Sequence, residues 1–126
     1  NAIFLTESPF CIRKKVNSMV TDTNRKYRYS FGNANVCSVF ALHKLYSGED
    51  FVEFLLKNCN SGRISCKDCK KLVSDNIIIK NSVIRKNSIK YIKNPDIVFN
   101  IINEGAKKAR EIASETLCEV KHLMGL

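Results

Sequence analysis

Apolar residues recur at every third or fourth position through most of this chain, and this spacing constrains the fold more than any other feature. The clearest run begins at Val98 and continues through Leu117 to Met124. Because an α-helix completes a turn every 3.6 residues, this spacing places the apolar side chains on one face. Segments that alternate apolar and polar residues, as half-buried strands do, are almost absent. The pattern therefore predicts an all-α helical bundle.

Helix-start and helix-stop residues divide this pattern into separate elements. Ser8-Pro9 and Ser65 are typical of helix starts, and Asn35 is a candidate N-cap for a second helix. Residues 21–35 are polar and lack a sustained period, which indicates a long connecting loop or a poorly formed hairpin. Gly125 is the predicted stop of the last helix. The predicted helices cover residues 9–20, 36–46, 49–58, 65–94 and 95–124.

A short apolar run over residues 2–5, AIFL, precedes the first helix and has the length of a strand. A lone strand exposes unpaired backbone groups along both edges. The chain also starts without methionine. We therefore expect a piece of a larger protein, whose other part pairs with this strand. No signal peptide and no apolar stretch near the ~18 residues of a membrane span are present, which predicts a cytoplasmic protein without a membrane partner.

Positive charge is concentrated rather than spread along the chain. Lysine and arginine number 21 against 12 acidic residues, a formal net charge of +9. Residues 67–94 contain eight basic and two acidic side chains, which is +6 of that total. Clustered positive charge is typical of proteins that bind a polyanion. A solvated lysine-rich face would give the same count, so the charge alone leaves both interpretations open.

Four of the six cysteines, at positions 37, 59, 66 and 69, give the spacing C-x21-C-x6-C-x2-C. Cys66 and Cys69 lie one turn apart at a predicted helix start, where the helix dipole favours the thiolate. Thiolate sets of this kind bind tetrahedral zinc or an iron–sulfur cluster. The wide separation of Cys37 from Cys59 favours a [4Fe–4S] cluster, and a zinc site or a set of free thiols are the alternatives.

The remaining reactive side chains carry no recognisable chemistry. Cys11 and Cys118 lie in helical segments without partners, so we expect buried free thiols. His43 and His122 are single histidines for which structural or surface roles are predicted. Neither a Ser/His/Asp order nor a glycine-rich phosphate loop is present, so no self-contained catalysis is indicated.

Both ends of the chain resemble bacterial tryptophanyl-tRNA synthetases. Residues 1–9, NAIFLTESP, with IRKKV at 12–16 and VTDT at 20–23, are similar to the segment directly after the KMSKS loop of that family. Residues 104–113, EGAKKAREIA, resemble its closing helix. The G-x3-C-x2-C-K-K element at 62–71 is a third specific part of the resemblance.

The resemblance implies a class I aminoacyl-tRNA synthetase with a Rossmann catalytic domain, a helical anticodon-binding domain and a dimeric assembly. Such an enzyme activates tryptophan with ATP and Mg²⁺ and transfers it to tRNA(Trp). The HIGH and KMSKS elements are absent from this chain, so the resemblance implies that this part alone is inactive. Residues 1–32 would complete the catalytic domain with a strand, a helix and a connector. Residues 33–94 would form the anticodon-binding domain, and 95–126 a helix packing back on the catalytic domain.

Some members of this family carry a [4Fe–4S] cluster in the anticodon-binding bundle, and the matching positions here are Cys37, Cys59, Cys66 and Cys69. Near such a cluster, exposed basic residues would contact the anticodon arm. The candidates for this contact are Arg63, Lys67, Lys70, Lys71 and Arg85. Two other interpretations remain: a stand-alone, metal-stapled nucleic-acid-binding module, and a purely structural bundle with free thiols.

Overall fold

The computed structural model describes residues 2–126, and every regular element among them is helical. Asn1, the first residue of the predicted catalytic-domain segment, lies outside the described residues. The elements are α1 (Pro9–Ser18), a 3₁₀ helix (Ala34–Val36), α2 (Ser38–Tyr46), α3 (Glu49–Asn60), α4 (Cys66–Lys80), α5 (Ser82–Lys93) and α6 (Pro95–Met124). The predicted all-α class is confirmed.

The predicted helix boundaries are confirmed where a local hydrogen bond sets them. The Ser8 hydroxyl accepts a bond from the Cys11 N–H at 3.3 Å, and Pro9 opens α1. The Ser65 hydroxyl accepts from the Asp68 N–H at 3.1 Å at the start of α4. Both side chains satisfy backbone donors that a helix start leaves unpaired. Gly125 ends α6 in the left-handed conformation, with φ of 72°.

Two boundary predictions involving asparagine are wrong. The predicted helix over 65–94 is two helices, because the chain breaks at Asn81, which is 3% exposed and follows the β-branched run Ile77–Ile79. Asn35 does not cap α2, because its own N–H binds the Asn33 side chain at 3.1 Å and closes the 3₁₀ helix instead. The N-cap position of α2 is Cys37, which makes no side-chain capping bond.

The predicted strand over residues 2–5 is also absent. No other part of residues 2–126 forms a strand, so no backbone ladder is available to it. The segment is instead held against α1, where the Lys15 ammonium group binds the Ala2 carbonyl and the Glu7 carboxylate. Ile3 packs beside the core of the bundle.

Residues through Lys86 form one compact unit with two apolar cores. The first core joins α1, α2 and α4, and the second joins the 3₁₀ helix, α2 and α3. Cys37 packs against both cores, Cys69 against the first and Cys59 against the second. The cysteines therefore lie where the two cores meet. The buried core side chains are Ile12, Val16, Val39, Val73 and Ile77 in the first core, and Ala34, Phe40 and Leu55 in the second.

Residues 87–126 form a second unit that contains α6. No residue of α6 is buried, and Ile101, Ile112 and Leu123 are 57%, 67% and 85% exposed. The apolar stripe that the sequence predicts to be buried is therefore exposed, because nothing within this unit covers it. Across the described part of the chain, no helix has both the length and the apolar character that crossing a membrane requires.

Candidate functional site

Helix ends bring the four predicted ligand cysteines together. Cys37 immediately precedes α2, Cys59 lies in the last turn of α3, and Cys66 and Cys69 lie in the first turn of α4. The Cys69 thiol interacts electrostatically with each of the other three, and Cys59 interacts with Cys37 and Cys66. We call these four residues the cysteine quartet. Residues up to 32 positions apart in the sequence thus lie near one another in the fold.

Burial controls the protonation of two members of the quartet, Cys69 and Cys59. It raises the pKa of Cys69 to about 12, and the neighbouring thiols of Cys37, Cys59 and Cys66 add to this effect. Burial also raises the pKa of Cys59, while the nearby Arg25 guanidinium acts in the opposite direction. The prediction that the helix start favours a thiolate at Cys69 is therefore wrong, because removing the thiol from water outweighs the helix dipole. At neutral pH Cys69 is therefore a protonated thiol, because its pKa lies well above 7.

The quartet provides four cysteine sulfurs, which are the ligand type of structural zinc sites and of [4Fe–4S] clusters alike. Within residues 2–126, no group of three histidine, cysteine or acidic side chains is arranged to hold a metal ion. By the chemistry of its sulfur atoms, the quartet fits the ligand set of a [4Fe–4S] cluster, which binds four cysteine thiolates.

The loop before the 3₁₀ helix covers the quartet and contributes residues that the sequence did not reveal. The Gly32 N–H donates to the Cys59 carbonyl at 3.0 Å. A Cβ atom on Gly32 would lie 2.9 Å from the Cys59 sulfur, so only glycine permits this approach without displacing the thiol. The Asp22 carboxylate holds the two ends of the loop by accepting from the Asn24 and Asn33 N–H groups at 2.9 and 2.7 Å.

Arg25 connects this loop to the start of α4. Its guanidinium donates to the Cys66 sulfur at 3.8 Å, to the Ile64 carbonyl at 2.7 Å and to the Arg28 carbonyl at 2.6 Å. The sequence gives no signal of this role for Arg25. The only sequence signal for this region is the VTDT resemblance, which ends two residues before Arg25.

A left-handed glycine shapes the turn between Cys59 and Cys66. Gly62 has φ of 72°, and its N–H donates to the Cys59 carbonyl at 3.1 Å. A Cβ atom at this position would lie 2.5 Å from the Tyr29 carbonyl oxygen. Gly62 is therefore required both by its backbone conformation and by the close packing of the loop on the turn.

We expect Gly62→Ala to lower the free energy of unfolding by about 2 kcal/mol, because alanine disfavours this φ and its methyl group meets a backbone carbonyl. Urea denaturation followed by circular dichroism measures this change. Gly48→Ala is the matched control, since Gly48 has φ of −73° and open space around its Cα. Equal stability of the two variants would show that the turn tolerates a side chain and that our account of it is wrong.

The two histidines and the two remaining cysteines carry no ligand role. His43 is fully buried, with Nδ1 2.9 Å from the Ser47 hydroxyl and Nε2 3.1 Å from the Cys69 carbonyl. Burial lowers the pKa of His43, so the ring is neutral and structural, as predicted. Cys11 and Cys118 are exposed rather than buried, because Cys11 lies outside the buried face of α1 and Cys118 lies on α6, where no residue is buried.

The five predicted RNA-binding residues fall into two groups. The charged ends of Arg63, Lys67 and Lys71 are exposed, and none has a polar partner among the described residues. Lys70 donates to the Asn17 carbonyl at 2.8 Å, and Arg85 donates to the Ile78 carbonyl at 3.0 Å. Both of these side chains are half-buried, so their charges also serve the packing of the bundle.

A groove of about 530 Å³ lies beside the quartet, between the loop and the start of α4. Four consecutive loop residues, Arg25 to Arg28, form one wall. The other wall contains Cys66 and the exposed Lys67. Asp68 is the one acidic residue in the lining, and it is already bonded to Ser65. The groove is therefore strongly basic and borders the cysteine centre.

Residues 1–79, which include the whole quartet and the groove, match the family described as class I tRNA synthetases for tryptophan and tyrosine (W and Y). The chain therefore belongs to the class I tRNA synthetases of this family. Over its full length it is similar to tryptophan–tRNA ligases. The predicted family resemblance is confirmed.

Relatives from distant bacteria support this assignment. The tryptophan–tRNA ligase of Ralstonia nicotianae is 35% identical over 126 residues, which are 100% of this chain and 32% of that protein. The ligase of Thermotoga maritima is 35% identical over 127 residues, again 100% of this chain and 39% of the relative. The chain thus spans about a third of the length of the curated relatives it matches.

The fold also occurs in a solved structure. The tryptophanyl-tRNA synthetase of Campylobacter jejuni matches with a TM-score of 0.86 over 100% of this chain and 40% of that protein, at 23% identity. A second crystal structure of that enzyme, complexed with ADP and tryptophan, gives a TM-score of 0.87. These matches establish that the helical arrangement of the chain is one found in synthetases.

Proposed function

We propose that this chain is the tRNA-binding, C-terminal part of a tryptophan–tRNA ligase. The observation that carries the proposal is the match to ligases of that name along 100% of the chain, at up to 35% identity. In this proposal the full-length protein activates tryptophan with ATP and Mg²⁺ and transfers it to tRNA(Trp). The catalytic motifs HIGH and KMSKS are not in this sequence. The part described here is therefore inactive without the rest of the polypeptide.

The exposed cations support a contact with the anticodon arm. Arg63, Lys67 and Lys71 carry charge that no intramolecular partner neutralises within residues 2–126, so phosphate groups can bind there without breaking an existing bond. Lys70 and Arg85 add positive charge to the same bundle while holding backbone carbonyls. Proteins read RNA sequence mainly on unpaired bases, and an anticodon loop presents such bases.

We assign the quartet to a [4Fe–4S] cluster. The four thiols are half-buried and close enough to affect each other electrostatically. Three of them pack where the two apolar cores meet. A cluster bound there would join α2, α3 and α4 covalently through iron and fix the start of α4, and nothing in the proposed reaction requires it to transfer electrons. The role of Cys37, Cys59, Cys66 and Cys69 in this proposal is to position the RNA-binding surface.

The remaining partners follow from the proposed enzyme. The exposed apolar side chains of α6 would pack on the catalytic domain of the same polypeptide. The full-length enzyme would be a cytoplasmic homodimer. A stand-alone nucleic-acid-binding module is disfavoured, because α6 is a 30-residue helix whose apolar side chains would stay exposed to water without a protein partner.

The proposal predicts discrimination at the anticodon. We expect the chain to bind tRNA(Trp) at least about tenfold more tightly than the same tRNA with a substituted anticodon, since lost base contacts cost about 1–3 kcal/mol each. Fluorescence anisotropy at one fixed salt concentration measures both affinities. Equal affinity for the two tRNAs would support the non-specific nucleic-acid-binding alternative. No binding to either tRNA would exclude an RNA-binding role for this part of the enzyme.

A further inference from the structure

We propose that Tyr27, Tyr29 and Phe31 form a stacking platform on which unpaired bases of the bound RNA lie. We call these three residues the aromatic platform. The inference rests on the proposed function, because it takes the RNA of that function as its ligand. It adds a recognition element that lies outside α4 and outside the predicted basic residues.

The backbone under the platform is held in place. The Ser30 N–H donates to the Tyr27 carbonyl at 3.1 Å and closes a turn. Arg25 holds the Arg28 carbonyl at 2.6 Å and, with the same nitrogen, the Ile64 carbonyl at 2.7 Å. The Tyr29 carbonyl lies close enough to Gly62 that a methyl group would not fit between them. The loop is thus attached to the turn between Cys59 and Cys66 at several points.

The aromatic side chains, in contrast, point into solvent. Tyr27, Tyr29 and Phe31 are 77%, 79% and 79% exposed. Three large rings within five residues gain nothing from this exposure in the folded chain, and none of them belongs to either core. A fixed backbone that presents exposed rings is pre-organised for a flat partner, because little ordering of the chain is required on binding.

The charge around the rings selects the kind of partner. The stretch RKYRYSF at residues 25–31 alternates basic and aromatic side chains. The Arg28 guanidinium lies 5.6 Å from the centre of the Tyr29 ring, and Lys26 lines the basic groove together with Tyr27. Apolar protein surfaces do not complement such a density of positive charge. Single-stranded nucleic acid does, because it combines a phosphate backbone with flat bases.

The groove gives the RNA a continuous path. Lys67 lines it from the α4 side, while Lys26, Tyr27 and Arg28 line it from the loop. Phosphates in the groove would therefore contact the same Lys67 that the sequence predicts as an RNA ligand. Bases attached to those phosphates would reach the platform. The geometry thus points to unpaired nucleotides of an anticodon loop, rather than a paired stem, as the occupant.

The test compares binding of a fluorescent anticodon hairpin from tRNA(Trp) with binding of a fully paired RNA duplex. We expect the triple variant Tyr27→Ala/Tyr29→Ala/Phe31→Ala to lose at least about fivefold in hairpin affinity for each base that stacks, and to bind the duplex as the parent chain does. Tyr27→Phe/Tyr29→Phe keeps the rings and should keep the affinity. Phe10→Ala is the matched control, since Phe10 is 75% exposed on α1.

A spectroscopic readout separates stacking from a structural role. The chain contains no tryptophan, so Tyr27→Trp introduces a single reporter ring. Stacking predicts quenching of its fluorescence by the hairpin and no quenching by the duplex. Unquenched fluorescence, or an unchanged hairpin affinity in the triple variant, would show that RNA bases do not stack on the aromatic platform.

The failure of this inference is distinguishable from failure of the proposed function. If Lys67→Glu weakens hairpin binding while the triple variant does not, the platform is rejected and the RNA-binding role stands. If the parent chain does not bind the hairpin at all, both are rejected. If the triple variant keeps its RNA affinity but impairs aminoacylation by the full-length enzyme, the rings contact protein and the platform is again overturned.

Discussion

Cys69→Ser should abolish iron binding by this chain, lowering the iron content from about four atoms per chain to none. Cys69 is the thiol that interacts with all three other members of the quartet, and it packs against the first apolar core. A serine hydroxyl is a poor ligand for iron in place of a thiolate, so the cluster would lose one of its four ligands. Anaerobic purification followed by iron, zinc and sulfide analysis measures the outcome.

Cys11→Ser is the matched control for this experiment. It removes a thiol from the same unit of the chain, but Cys11 is exposed and lies outside the quartet. Cys66→Ser is the second test variant, because Cys66 packs against neither apolar core, so its substitution disturbs the cores less. Circular dichroism of each variant establishes that the helices have formed before metal content is compared.

Each result of the metal analysis has a defined meaning. About four irons and four sulfides in the parent chain, lost in both quartet variants and retained in Cys11→Ser, would support the cluster. One zinc per chain would replace the cluster with a single-ion site and would reject the cluster assignment. A parent chain purified anaerobically without any metal would reject the quartet as a metal centre.

Lys67→Glu/Lys71→Glu should weaken the binding of tRNA(Trp) by about a hundredfold. Each substitution removes a charged contact to phosphate and places a repulsive carboxylate near it; two such contacts are together worth about 3 kcal/mol. The slope of log affinity against log salt should also fall by about one for each lysine. Fluorescence anisotropy over a series of salt concentrations measures both quantities.

The control for this variant reproduces its change in net charge elsewhere. Lys107→Glu/Lys108→Glu reverses two exposed charges on α6 and should alter tRNA affinity less than threefold at 0.15 M salt, because neither lysine belongs to the unit that carries the basic groove or to the predicted RNA contact. An equal loss of tRNA affinity in the two double variants would mean that the RNA is attracted by the net charge of the chain rather than by a defined surface. An unchanged affinity in Lys67→Glu/Lys71→Glu would remove these lysines from the contact.

Much of the fold is readable in the sequence because its signals are local. A serine hydroxyl reaches a backbone N–H three residues away, so Ser8 and Ser65 mark their helix starts without help from the rest of the chain. Glycine at the end of α6 adopts its left-handed conformation for an equally local reason. The same local logic fails at Asn35, because its N–H bonds to the neighbouring Asn33 side chain, and it did not locate the helix break at Asn81.

The cysteine spacing identifies the quartet but not its chemical state. Cys66 and Cys69 are one turn apart in any helix, so their proximity follows from the sequence. The protonation of Cys69 does not, because it depends on how much water the packed helices exclude. The sequence predicts the helix dipole acting on this thiol, and only the packed bundle reveals that desolvation is the larger effect.

The sequence alone determined the helical class, most helix boundaries, the four sulfur donors, the concentration of basic residues and the family. Only the tertiary structure decided that Gly32 covers Cys59, that Arg25 reaches Cys66 from 41 positions away, and that the apolar face of α6 has no cover within its own unit. Periodicity and capping arise from bonds between residues a few positions apart, whereas these contacts join distant segments. They exist because the packing of two cores brings the loop and the helix ends to one place, and no local pattern encodes that meeting point.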